Sequence, residues 1–235
     1  KLFYSPGVGG ASKYAQNDKA KLKEVSWTNN LVAIISDGTA VLGLGDIGPE
    51  GAMPVMEGKA MLFKHFADID AVPIVLNVHT ADEIVATIKA ISTSFGGINL
   101  EDIAAPKCFE IEERLKAELD IPVMHDDQHG TAIVVLAGLM NSMKVTGKNL
   151  SDCKIVLVGA GAAGVAVAKL IHQYANPQII VVDSKGIIEP TRKDLTAEKV
   201  MLMSFSKSEA RGTLADALKD ADIFIGLSKG GLLTE

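Results

Sequence analysis

Apolar positions in this chain switch repeatedly between the period of a strand and the period of a helix. Leu31-Val32-Ala33-Ile34-Ile35 is a β-branched run stopped by Ser36-Asp37-Gly38, which predicts a strand entering a turn. A short apolar stretch, Val41-Leu42-Gly43-Leu44, follows, and Gly45-Asp46-Ile47-Gly48-Pro49 predicts a bend. A helix is expected from about Gly51 to Phe66, carrying Lys59, and then a buried strand over Val72 to Val78. Thr80 with Glu83 has the spacing of a capping box. Beyond it Ile84, Ile88, Ile91 and Phe95 recur on one helical face until Gly96-Gly97. Cys108, Ile111, Leu115 and Leu119 form the next stripe, which leaves Glu110, Glu112, Glu113 and Lys116 on an expected solvated face. A strongly apolar helix is expected from Thr131 to Lys144, stopped by Gly147.

The polar stretch Lys148 to Asp152 reads as a link between two domains, 1–147 and 148–235. Lys154-Ile155-Val156-Leu157-Val158 then predicts a strand that runs directly into Gly159-Ala160-Gly161-Ala162-Ala163-Gly164. An Ala/Val-rich helix over Val165 to His172 and a second strand, Gln178 to Val182 ending in Asp183, complete a βαβ unit. After Asp183 the pattern predicts a loop to Thr213, a short helix capped by Thr213 and Asp216, and a strand over Ile223 to Leu227. Strands alternating with helices at this spacing define an α/β fold with parallel sheets. The second domain reads as the first half of a doubly wound Rossmann domain. Its remainder is expected in a longer polypeptide.

Composition narrows the class. Among 235 residues 48% are hydrophobic, 5% aromatic and 22% charged, a core-forming and not a disordered balance. A net charge of −6 disfavours a broad nucleic-acid surface, which needs clustered Lys and Arg. The two cysteines, Cys108 and Cys153, are too few for a disulfide framework and read as buried thiols of a reducing, cytoplasmic compartment. The longest apolar run, Ile155 to Ala168, is too short to span a bilayer. The chain opens at Lys1 with no leader pattern, so neither a signal peptide nor a membrane partner is expected.

Two acidic segments carry the candidate chemistry. Glu101-Asp102 follows the apolar Ile98-Asn99-Leu100, and Asp127 lies in Val123-Met124-His125-Asp126-Asp127. Both are expected at the C-terminal ends of strands, where open α/β sheets place their ligand crevices. Carboxylate oxygens suit Mg²⁺ or Mn²⁺; the competing reading is that these acids cap helices and stay solvated. In the glycine motif, Gly159 permits the turn, Gly161 lets backbone approach a pyrophosphate, and Gly164 lets helix and strand pack closely. Ala160, Ala162 and Ala163 complete the loop at the helix N-terminus, whose free N–H groups face phosphate. Asp183 is positioned to accept from ribose hydroxyls, which favours NAD over NADP, while Lys185 and Arg192 lie close in sequence.

Taken together, the motifs resemble one family. Phe3-Tyr4-Ser5-Pro6-Gly7-Val8, Ser36-Asp37-Gly38 with Gly43-Leu44-Gly45-Asp46-Ile47-Gly48, Met56-Glu57-Gly58-Lys59-Ala60, Glu101-Asp102-Ile103 and His125-Asp126-Asp127-Gln128-His129-Gly130-Thr131 are similar to the motifs of malic enzymes, the shorter prokaryotic branch above all. The resemblance implies oxidative decarboxylation of L-malate to pyruvate and CO₂ with NAD(P)⁺ and Mg²⁺ or Mn²⁺. By position it implies Lys59 as general base, Tyr4 as the acid at C3, Asp126 as partner of the lysine, and Glu101, Asp102 and Asp127 as metal ligands. His125 and His129 are read as supporting or structural. It also implies a homodimer or higher homo-oligomer with Tyr4 near an interface. Ala40 stands where the larger eukaryotic-type branch has an arginine for a substrate carboxylate, and the family's C-terminal asparagines would lie beyond Glu235. Two other functions fit the same residues: a malolactic-type enzyme yielding lactate, and a non-catalytic dinucleotide-binding module.

Overall fold

The computed structural model describes residues 3–41, 43–207, 210–228 and 230–233. Leu42, in the expected apolar stretch 41–44, lies outside them. The chain divides into two compact units, Lys1–His125 and Asp126–Glu235.

The first unit opens with two short helices, α1 (Gly9–Asn17) and α2 (Leu22–Val25), neither of which buries a residue. Its sheet has the order β2-β1-β3-β4, all parallel, formed by β1 (Leu31–Ser36), β2 (Asp70–Val75), β3 (Gly97–Leu100) and β4 (Val123–His125). α3 (Gly48–Ala67), α4 (Ala81–Ile91) and α5 (Lys107–Glu118) connect the strands. Ala33, Ile34 and Ile35 of β1 and Leu100 of β3 are buried with Met56, Ile84, Ile88, Ile111 and Leu115 of the helices, forming the core. β1 is continuously apolar because parallel strands are covered on both faces.

Most expected elements are present, with shifted ends. α3 begins at Gly48 with Pro49 in its first turn, where the missing N–H costs nothing. Val41 N–H donates to the Gly45 carbonyl at 2.9 Å and Leu44 N–H to the Val41 carbonyl at 3.0 Å, so the chain turns tightly here in place of an extended stretch. The capping box of α4 is complete: Glu83 N–H donates to Thr80 Oγ1 at 3.2 Å and Thr80 N–H to Glu83 Oε2 at 3.1 Å.

The second unit starts with α6 (Asp126–Thr146), which begins before the expected Thr131 and packs along α7 (Ala162–Ala175). The unit division therefore falls ahead of the 147/148 link read from sequence. Residues 148–152 lie inside this unit and include a short helical turn with Leu150 buried. Its sheet has the order β7-β6-β5-β8, from β5 (Lys154–Val158), β6 (Gln178–Asp183), β7 (Gly186–Ile187) and β8 (Ile223–Gly226). β5 pairs parallel to β6 on one side and to β8 on the other, whereas β7 is antiparallel to β6. The loop expected after Asp183 thus contains β7 and α8 (Ala197–Met203), ahead of α9 (Leu214–Leu218). Because β8 crosses to the far side of β5, the strand order reverses at β5. The unit reaches past a first mononucleotide half to the topological switch point, where open α/β sheets bind ligands.

Candidate active site

Residues following the carboxyl ends of β1 and β3 are stitched together. Ala40 N–H donates to the Asp102 carbonyl at 3.0 Å, and Ala104 N–H donates to Thr39 Oγ1 at 3.0 Å. Asp37, buried just past β1, accepts from Thr39 Oγ1 at 2.7 Å and is ion-paired with Lys107 at the start of α5. Asp102 has φ 55, a left-handed conformation that Asp adopts more readily than most residues. The loop therefore holds Asp102 in a defined, mildly strained state of the kind that clusters at functional sites.

Glu101 and Asp102 are 6% and 4% exposed, which argues against the reading of solvated helix-capping acids. Lys59, on α3, places Nζ 3.0 Å from Glu101 Oε1. Sequence segments far apart thus bring the candidate base and a candidate metal acid into direct contact. The register sets Leu100 beside His125, so the Glu101-Asp102 and Asp126-Asp127 segments follow the same ends of paired strands. Asp126 and Asp127 form the first turn of α6, where the helix dipole favours negative charge. A Cβ on Gly130 would overlap the Asp126 carboxylate, so that glycine leaves room for the acid one turn earlier. Tyr4, in contrast, is 81% exposed in the N-terminal segment.

One expectation is corrected here. Glu112 is not on a solvated face: it is buried, and its Oε1 accepts from His125 N–H at 2.9 Å while pairing with Lys116 at 2.8 Å. The acid fixes the end of β4, which the periodicity of α5 gave no way to see. Lys107 and Asn99 were also missed; a lone lysine or asparagine carries no spacing signal.

In the second unit the glycine loop has the geometry its motif implies. Gly159 has φ 114, and a Cβ on Gly164 would overlap the Gly159 carbonyl. A Cβ on Gly161 would meet nothing within 4 Å, so the backbone there faces open space. Gly161 caps α7 without a side-chain hydrogen bond, leaving the helix N–H groups for a phosphate. Asp183, at the end of β6, accepts from Arg192 Nη1 and Nη2, both at 2.8 Å, from Lys199 Nζ at 2.8 Å and from Lys185 N–H at 2.9 Å. Burial alone would raise its pKa, but Arg192 and Lys199 outweigh burial and hold the carboxyl well below the usual carboxylate range. Asp194 holds Arg192 from its other side, at 2.8 Å.

A glycine loop between β5 and α7, an acid ending β6 and a strand-order reversal at β5 define a dinucleotide-binding α/β protein of the Rossmann type. Comparison with known proteins narrows this. The model of the malic enzyme N-terminal domain matches residues 1–86 and 79–116, and that of the malic enzyme NAD-binding domain matches 128–235. The bifunctional malic/malolactic enzyme of Bacillus subtilis is 53% identical over 100% of this chain and 58% of its own length. The NAD-dependent malic enzyme of Geobacillus stearothermophilus is 52% identical over 98% of this chain and 48% of its own. The crystal structure of the NAD-dependent malic enzyme of Thermotoga maritima superposes with a TM-score of 0.95 at 45% identity, over 99% of this chain and 63% of that one. The chain belongs to the malic enzyme family. It spans about half the length of the curated relatives it matches. Its second unit is an NAD(P)-binding domain, and no helix among the described residues is long and apolar enough to cross a membrane.

Proposed function

We propose that this chain carries the metal, substrate and coenzyme residues of an enzyme that oxidatively decarboxylates L-malate to pyruvate and CO₂ while reducing NAD(P)⁺. The observation that carries the reading is the Lys59 Nζ to Glu101 Oε1 contact of 3.0 Å, made at the strand end where Asp102 is held in its left-handed conformation. The donor set supports a hard cation: Glu101 and Asp102 are buried acids with oxygen ligands, and Asp127 follows the neighbouring strand. Mg²⁺ or Mn²⁺, when bound, supplies Lewis acidity at the oxygens of the hydroxy acid. The glycine loop through Gly164 and Asp183 would hold the coenzyme, which would supply the hydride acceptor.

The remaining work falls to the chain. Lys59 takes the proton of the C2 hydroxyl, its Nζ held 3.0 Å from Glu101 Oε1. Asp126 orients the amine. Tyr4 returns a proton to C3 from its phenol. In this reading 1–147 serve metal and substrate and 148–235 the dinucleotide, so α6 works with one region and packs with the other. Arg192 and Lys199 offset the charge of Asp183, so NADP⁺ is accepted beside NAD⁺. An exposed Tyr4 is completed by assembly into a homodimer or higher oligomer. Cys108 and Cys153, both buried thiols, suit a cytoplasmic enzyme.

The test is malate-dependent NADH formation by the full-length protein with and without Mn²⁺. Turnover should be metal-dependent and fall about 10²- to 10⁴-fold in Lys59→Ala, with NAD⁺ binding unchanged. Asp127→Ala should likewise lose turnover and keep NAD⁺. Retained turnover in both variants rejects the assignment. The bifunctional Bacillus subtilis relative favours a second outcome, malate to lactate, read by assaying lactate against pyruvate.

A further inference from the structure

Asn99 is out of place by the ordinary rules of a central parallel strand. β3 is flanked by β1 and β4, with Asn99 opposite Ile34 and Met124, and its other residues are Gly97, Ile98 and Leu100. An aliphatic side chain is the usual occupant of such a position, yet here an amide sits 2% exposed. Alternation puts Asn99 and Glu101 on one face of the strand, and Asn99 Nδ2 donates to Glu101 Oε2 at 2.8 Å. Its Oδ1 is buried with no hydrogen-bond partner among the described residues. Burying an amide for one of the four hydrogen bonds it can make is unfavourable for the fold alone. The bond it makes goes to the carboxylate whose other oxygen, Oε1, faces Lys59 at 3.0 Å.

We propose that Asn99 is a positioning residue of the divalent-cation site. Its amide pins one oxygen of Glu101 and so fixes the orientation in which this acid serves both Lys59 and a cation. A neutral donor suits the task, because it orients the carboxylate without cancelling the charge that a cation needs. The inference rests on the reading of Glu101 and Asp102 as cation ligands, and extends it to a residue that touches neither the cation nor the substrate.

Mn²⁺ binding to the metal-free full-length protein, followed by electron paramagnetic resonance, tests it. Asn99→Leu keeps the branched shape and removes the donor. The Kd for Mn²⁺ should rise about 10- to 100-fold, the range for losing a group that holds a metal ligand. NAD⁺ affinity should stay unchanged, and saturating Mn²⁺ should restore most of kcat. A packing role would lower the thermal midpoint and leave the Mn²⁺ Kd within twofold of wild type, which overturns the proposal. If Asn99→Leu does not fold, Asn99→Ala carries the same measurement. Glu101→Gln separates the two levels. If it binds Mn²⁺ like wild type, the ligand reading itself fails; if it loses Mn²⁺ while the Asn99 variants keep it, only the role of Asn99 fails.

Discussion

A single carboxylate, Asp183, accepts hydrogen bonds from Arg192, Lys199 and the Lys185 backbone, so its charge is largely spent inside the protein. With its pKa depressed in the folded state, the acid contributes stability that is present above its unfolded value of about 3.9 and lost as pH falls through the folded value. Arg192→Ala should therefore cost up to about 3 kcal/mol at neutral pH, because it strips one partner from a mostly buried pair while Lys199 remains. The cost, read as the difference in thermal midpoint from wild type, should shrink as pH is lowered through 4 toward 3. The same variant should lose NADP⁺ turnover about tenfold relative to NAD⁺, about 1.4 kcal/mol of charge-assisted contact. A difference in midpoint that stays constant with pH would count against the ion pair as its source. The position of Asp183 was legible because a β-branched run ends at it. Its occupancy was not, since Arg192 and Lys199 reach it from a loop and a helix with no periodicity that points back to β6.

Elements were legible wherever sequence and local physics agree. The Thr80/Glu83 box, the β1 run and the glycine loop are each specified within a few consecutive residues, and each is found as read. Failures occurred where an element is fixed by something distant. α6 starts at Asp126 because β4 ends at His125, which no apolar pattern before Thr131 announces. Glu112 lies among charged neighbours on α5 and looks solvated until β4 is laid against it. Glu112→Ala removes the buried acceptor of the His125 N–H and should destabilise the first unit by about 1–3 kcal/mol. Hydrogen exchange in residues 123–125 should speed up while that of β5 stays unchanged. Equal acceleration in both strands would mean that Glu112 acts on global stability and not on β4.

For the whole molecule, the exposed N-terminal segment is the feature that calls for a partner. α1 and α2 bury nothing, while Phe3, Tyr4 and Trp27 are 96%, 81% and 71% exposed. In the proposed homo-oligomer a second copy would cover these side chains, Tyr4 among them. Sedimentation of the full-length protein should give at least twice the mass of one chain, and the mass of one chain would remove this explanation. The sequence supplied the expectation through family resemblance; the packing of residues 3–27 supplies its physical motive. The α6 helix has a different consequence, for how such proteins diversify. Its first turn holds Asp126 and Asp127, and its length is packed on α7. A crossover at residue 126 would exchange Asp126 and Asp127, two of the proposed site acids, along with the coenzyme module, and one at 147 would mismatch two helices. Chimaeras exchanging coenzyme modules should fail at either junction, leaving point substitution as the accessible route from one nicotinamide nucleotide to the other.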